Sequence, residues 1–464
     1  MRKLIVLALL AMMVATVKPA DASVQNVRIS GWTDNTFVFR KEFDLGKGSG
    51  GTDHQGVYIN QTGLQVDADL TDQVFVTISL INEAAWGDDR NSNSTASVDI
   101  YLAYVTLKEM LYSPLTLVIG RQTFSFGNGL IFDATGANNV APAASGISGI
   151  AEDLTKQTSL DAIRAILDYN PLTVTAFYAS IDQGVVKIAD VEDNSDLFGI
   201  NANYQLGDDM DSLVEVYYFK QRDRSGNTAF VGSGATAKTD ELNVFGIRGS
   251  TNPIEGLNVQ LEFAKQNGTT QTGSDTEHSR IEAFAFQGII NYQLPVMEEY
   301  NPVAQYIFTK VTGDTDLTHS GGGEYSGWNP FFEAQGGGHI YNTLFDLTNS
   351  VIHSVYLTAE PMEDVTARLA LTAIWLEREL HDPDGSGPAS PTLTVRQPDG
   401  GSVALAAKSD SNFLGKEFNF DLTYDYTEDV QIGTSIGWFI PGSVFDNENN
   451  STAKQILVNM NVAF

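Results

Sequence analysis

Apolar and polar residues alternate with a period of two along most of the chain, as strands with one apolar face require. In 172–178, Leu172, Val174, Ala176 and Tyr178 interleave with Thr173, Thr175 and Phe177. In 198–206, Phe198, Ile200, Ala202, Tyr204 and Leu206 interleave with Gly199, Asn201, Asn203 and Gln205. Residues 257–263 and 418–426 repeat the pattern with Glu262, Asp421 and Asp425 on the polar side. Eighteen segments read as strands: 26–40, 56–70, 73–84, 97–108, 114–126, 159–169, 171–182, 196–206, 212–223, 241–251, 256–266, 280–293, 301–311, 349–360, 364–377, 413–427, 429–440 and 454–464. Sixteen is the alternative count.

The gaps between these segments alternate short and long. Short turns at 71–72, 109–113, 171, 207–211, 252–255, 294–300, 361–363 and 428 separate long loops such as 127–158, 312–348 and 378–412. A β-sandwich has no reason to sort its loops this way. A transmembrane antiparallel β-barrel does, with tight periplasmic turns on one rim and long extracellular loops on the other. The segments also reach the roughly 9–11 residues that a tilted strand needs to cross the hydrocarbon layer.

Both chain ends agree with this reading. Met1-Arg2-Lys3, the apolar run Leu4 to Val17 and the small-residue site Ala20-Asp21-Ala22 predict a signal peptide over 1–22, leaving 23–464 as the barrel. The last segment puts Ile456, Val458, Met460, Val462 and Phe464 on one face and stops on the aromatic ring. It resembles the C-terminal signal by which the barrel-assembly machinery recognises Gram-negative outer-membrane proteins.

Composition narrows the chemistry. The chain is 18% charged with a formal net charge of −31, so nucleic acid is excluded as a partner by phosphate repulsion. It has no cysteine, which removes disulfides, thiolate metal sites and a thiol nucleophile. If the apolar faces meet lipid, their opposite faces line a lumen. Arg28, Asp67, Asp69, Arg164, Glu215, Glu262, Arg368, Asp421 and Asp425 then point inward. An Arg in the lipid midplane would cost about 2–4 kcal/mol. That lumen is polar, mixed in charge and wide enough for water. Aromatics near strand ends, such as Phe124, Phe126, Tyr217, Tyr218 and Trp438, read as interfacial girdles.

The stretch Ala103-Tyr-Val-Thr-Leu-Lys108, Leu115-Thr-Leu-Val-Ile-Gly-Arg-Gln122 and Phe126-Gly127 resembles the alginate-export family of outer-membrane barrels. Asp161-Ala-Ile-Arg164 and Leu172–Tyr178 look like the family's next hairpin. The resemblance implies an 18-stranded barrel with a polar pore, and a role for Arg121 as a constriction charge facing an anionic sugar. Arg121 shares its parity with Leu117 and Ile119, so either that face is the lumen or Gly120 permits a bulge; the cost of a lipid-facing Arg favours the lumen.

An exporter of a polyuronate needs a base-rich pore. This lumen holds at least as many carboxylates as bases. The expected function is therefore an outer-membrane porin for small hydrophilic or anionic saccharide solutes. The alternatives are a barrel sheath around an electron-transfer conduit and an outer-membrane hydrolase. Expected partners are outer-membrane lipid and lipopolysaccharide, the assembly machinery and a small solute, with the oligomeric state open. No cofactor or metal is expected: His381-Asp382-Pro383-Asp384-Gly385 begins like a calcium loop but lacks the later Glu. The six histidines, His54, His278, His319, His339, His353 and His381, accompany no nucleophile motif, so no catalytic residue is expected. Gly321-Gly322-Gly323 and Gly336-Gly337-Gly338 mark 312–348 as a loop able to enter the pore, cover its mouth or remain at the surface.

Overall fold

The computed structural model describes residues 26–46, 54–86, 98–137, 151–155, 157–181, 195–223, 240–271, 278–314, 323–334, 336–380, 391–398 and 401–464. The signal sequence, His319, His381 with its Asp-rich turn, and Gly321-Gly322 lie outside them.

Eighteen antiparallel strands close one barrel. In chain order they are β1 (Asn26–Lys41), β2 (His54–Thr71), β3 (Val74–Ala85), β4 (Asp99–Lys108), β5 (Leu115–Gln122), β6 (Leu160–Asp168), β7 (Leu172–Ile181), β8 (Ser195–Gln205) and β9 (Leu213–Asp223). The second half comprises β10 (Asp240–Ile254), β11 (Leu257–Gln271), β12 (His278–Gln293), β13 (Val303–Val311), β14 (Ser350–Met362), β15 (Val365–Leu376), β16 (Phe413–Thr427), β17 (Val430–Pro441) and β18 (Ala453–Ala463). Each strand pairs with its neighbours in sequence, and β18 returns to β1 over Trp32↔Ala463 through Lys41↔Lys454. Closure leaves no sheet edge, the condition for a sheet to sit in hydrocarbon. At its periplasmic end, Gly31 and Phe464 exchange two backbone hydrogen bonds of 2.9 Å.

The outward faces follow the alternation. Leu64, Ile78, Ile200, Val216, Ile247, Leu261, Val355 and Leu371 are exposed there and form the apolar belt. Above the belt, at the long-loop end, outward charges pair across and along strands. Lys220 and Arg222 share Glu241, Lys265 and Arg280 share Glu282, and Lys310 holds Glu377.

The inward faces depart from a uniformly polar lumen. In the periplasmic half they carry Asn, Gln, Asp, Glu and Arg. In the extracellular half they are apolar: Phe177, Ala179, Leu197, Phe219, Val244, Ala283, Val311 and Ile374 are all buried. Two long loops fold down onto this apolar sleeve. Residues 124–134 and 324–349 bring Phe124, Ile131, Phe132, Trp328, Phe331, Phe332, Ile340 and Leu344 into one cluster with it. The loops also pair with each other, through Asp133 N to Phe332 O (2.8 Å) and Phe332 N to Ile131 O (3.1 Å). So Phe124, Phe126 and Tyr217 are not girdle residues. They pack inside the barrel, where Phe124 and Phe126 lie 4.9 and 5.7 Å from the Phe177 ring. Water is displaced there because the loops bring enough apolar surface to bury, which single-strand parity does not disclose.

Candidate functional site: a polar chamber beneath a loop plug

The plug is fastened at three points. The short helix α1 (His339–Leu344) begins against β16, where the carboxylate of Glu417 accepts the backbone N–H groups of Ile340 (2.9 Å) and Tyr341 (2.7 Å). A buried strand carboxylate thus satisfies N–H groups that a helix N-terminus leaves unpaired. Gly338 is required at this junction, since a Cβ there would stand 2.5 Å from the Glu417 carboxyl.

The second fastening is Arg40 on β1, 1% exposed, whose guanidinium grips the Asp153 carboxylate while its Nε donates to Gln455 on β18 (2.8 Å). Asp153 also accepts from the Thr343 hydroxyl of α1 (3.0 Å), so one carboxylate ties both loops to the wall. The third is Arg396, in the small hairpin Thr392–Arg396/Ser402–Ala406, which donates to the carbonyls of Asn342 (2.8 Å) and Phe345 (2.6 Å).

Below the plug lies a cavity of about 560 Å³. Side-chain amides are the commonest polar groups on its walls: Asn128, Gln260, Gln287, Asn291, Gln305, Asn342 and Asn419. On one side Arg248 forms an ion pair with Glu215 (3.1 Å) and donates to Asn128 (3.1 Å) and Gln260 (2.9 Å). Asn201 donates to the same Glu215, and Tyr217 donates to Glu262 (2.7 Å). Asn128 enters from the first plug loop, where Gly127 has φ +58° and its Cα lies so close to Arg248 that a Cβ would approach the side chain to 3.3 Å. On the other side Arg368 sits directly opposite Asp421 in the register and lies over the Tyr356 ring, 4.2 Å from its centroid. The His339 imidazole approaches Asp421 to 3.2 Å.

Glu215, Glu262, Arg368 and Asp421 thus meet at the chamber or its wall. Asp67 and Asp69 face inward lower down, Asp67 accepting from Thr77 (2.6 Å) and standing opposite Arg28 in the register. Asp425 is also low in the lumen, bonded to Gln431 (2.8 Å). Arg164 faces inward but belongs to the plug, its guanidinium 5.0 Å from the Phe124 ring centroid.

Arg121 is a correction. It lies on the outward face with Leu117 and Ile119, without a bulge, and holds Asp161 of β6 through two hydrogen bonds of 2.8 and 2.9 Å. A bidentate partner at the extracellular strand end removes the cost that had argued for the lumen. Sequence reasoning missed Arg248, His339 and Asn128. Arg248 shares parity with Val244 and Gly246 on β10, a signal that the glycines of Gly246-Ile-Arg-Gly249 obscure. The two loop residues carry no periodic signal.

The His339 imidazole titrates above its usual 6.5: enclosure within the barrel opposes protonation, but the hydrogen bond and charge of Asp421, with Glu417 behind, outweigh it. Below that raised value His339 is cationic beside Asp421. As pH rises through it, the chamber loses one positive charge and the plug loses that part of its docking energy. Cation preference in single-channel recordings is therefore expected to increase from mildly acidic to mildly alkaline pH. His339→Gln should flatten the response; an unchanged slope in the variant would exclude His339 as its source.

A sequence profile described as alginate export matches residues 27–459, nearly the whole of the described barrel. The chain belongs to the alginate export family. Solved structures agree on the architecture. The outer-membrane protein OpdK of Pseudomonas aeruginosa superposes with a TM-score of 0.56 at 8% identity, covering 95% of this chain and 99% of its own. OccD3 (OpdP) of Pseudomonas aeruginosa gives 0.56 at 10% identity, covering 96% and 93%. OccAB1 of Acinetobacter baumannii gives 0.55 at 10%, covering 96% and 98%. No curated protein sequence matches the chain. This member of the alginate export family is an outer-membrane porin-type barrel.

Proposed function

We propose that the barrel is a passive channel for small, uncharged, polyhydroxylated solutes of the saccharide type. The observation that carries this reading is the amide-lined chamber, whose charges are matched from within the protein. Side-chain amides offer donors and acceptors to hydroxyl groups in any orientation. The Arg368–Tyr356 stack adds a flat face of the kind a sugar ring packs against. Arg248 is committed to Glu215, and Arg368 lies over Tyr356 with Asp421 directly opposite in the register, so each of these bases has a carboxylate as its neighbour. A polyuronate would need an excess of base in this zone. Asp34, Asp67, Asp69 and Asp425 instead place carboxylates along the lower lumen.

A channel also fits better than a sheath or a hydrolase. The plug occupies the extracellular half of the lumen that an electron-transfer partner would have to thread. His339 contacts Asp421, but no serine or threonine hydroxyl contacts the imidazole among the described residues.

The test is a planar bilayer in a salt gradient together with swelling of proteoliposomes. Expected results are a weak cation preference and faster swelling with neutral mono- and disaccharides than with the matching uronates. A marked anion preference, or faster entry of uronates, would overturn the reading.

A further inference from the structure

The outward bases on β5 and β9–β13 have carboxylate partners, as described above. The closing seam breaks that rule. Lys41 on β1 and Lys454 on β18 are directly opposite in the register, and both point outward. Two strands further round, Lys416 on β16 also points outward, opposite Ile440 and two residues further toward the extracellular end than the row Lys454–Trp438–Phe418. Lys416 and Lys454 make no ion pair or hydrogen bond among the described residues, and Lys41 has only its neighbour Glu42 at 3.6 Å.

Like charges directly across a strand pair repel. A chain with 58 acidic residues has ample means to match these bases, and does so elsewhere on the same wall. The wall beside and beneath the lysines is apolar and aromatic: Trp438 stands opposite Lys454 with its ring 5.6 Å from that of Phe418, and Phe39 opposes Ile456 one pair-row lower on that face. At the opposite, periplasmic rim, the nearby bases Arg28 and Lys108 face inward, Lys108 over the Phe75 ring at 4.5 Å. The unmatched positive charge is therefore confined to the extracellular edge of the belt.

We propose that Lys41, Lys416 and Lys454 form a binding site for a phosphate group carried by a glycolipid of the outer leaflet. The lysines hold the phosphate, and the acyl chains lie on the apolar wall below. Lysine ammonium groups bind phosphate as point charges. The height of the cluster, at the boundary between belt and extracellular end, is where a membrane-anchored headgroup stands and where a free anion would have no apolar anchor.

The test titrates delipidated, detergent-purified protein with bisphosphorylated lipid A, dephosphorylated lipid A and inorganic phosphate, following Trp438 fluorescence and native mass. Saturable binding of bisphosphorylated lipid A is expected, weakened roughly tenfold or more in the K416Q/K454Q double variant. K265Q, on a base already matched by Glu282, should bind like the parent. Folding of each variant is checked by heat-modifiable gel mobility, and K416Q and K454Q singly serve if the double variant fails it. Equal binding of the dephosphorylated lipid, equal affinity in the K416Q/K454Q variant, or saturation of the site by inorganic phosphate alone would each overturn the assignment.

Discussion

Replacing Asp153 by alanine is expected to undock the plug, weakening its attachment by about 3–5 kcal/mol. The reason is the state in which it leaves Arg40. That guanidinium is 1% exposed and has two groups from the carboxylate and one from Gln455 as its partners. Without Asp153 a buried cation keeps a single neutral acceptor, and the loop can relieve it only by moving aside to admit water. Thr343 on α1 loses the same acceptor, so the second loop loosens with the first. In single-channel recordings Asp153→Ala should show larger and noisier conductance, with faster proteolysis inside 123–159 and unchanged heat-modifiability of the barrel. Asp153→Leu combined with Arg40→Met should be milder than Asp153→Ala alone, since the pair is then removed together. Unaltered conductance and protease sensitivity would show that the ion pair does not hold the plug.

Phe132→Ala is expected to have a comparable effect by a different route, about 3–5 kcal/mol from a lost buried ring and the cavity left behind. Phe132 is fully buried and lies within 5.2–5.6 Å of Phe124, Phe126, Phe177, Phe219 and Phe332, ring centre to ring centre. It joins the wall strands β7 and β9 to both plug loops. The wall does not depend on it, because each strand is hydrogen-bonded to two neighbours irrespective of the plug. Hydrogen exchange should therefore rise at the amides of residues 126–134 and 328–334 and stay low along β7 and β9. Exchange that rises equally in wall and plug would mean the two form one cooperative unit.

The wall was legible in the sequence because a barrel is specified strand by strand. Parity alone put Glu262 and Asp421 on the inner face and Leu261 and Leu422 on the outer, and loop-length alternation supplied the strand count and the two rims. Entry of 312–348 into the pore was one of three outcomes its length and glycines left open; how the plug is held was not legible, because that depends on contacts between distant segments. Nothing near Asp153 announces a partner at Arg40, and nothing near Gly338 announces Glu417. Arg121 misled for a related reason: parity placed it outside, the cost of an unpaired Arg argued against that, and the deciding partner, Asp161, lay forty residues away. The girdle reading of Phe124 and Tyr217 failed because aromatic rings at strand ends suit an interface and a dry interior equally well.

The apolar sleeve has a consequence for how the strands know their alignment. A slip of one residue exchanges the two faces of a strand. Where the apolar sleeve meets the apolar belt such a slip is less penalised, since aromatic and aliphatic side chains stand on both faces, as Tyr218 and Phe219 do on β9. A few residues lower the same slip would carry Glu215 out of its bond with Arg248 and into the lipid. The polar half that forms the chamber is thus also the ruler of the barrel. Substitutions that neutralise Glu215, Glu262 or Asp421 for the sake of changing permeation would at the same time erase the marks by which each strand is set against the next.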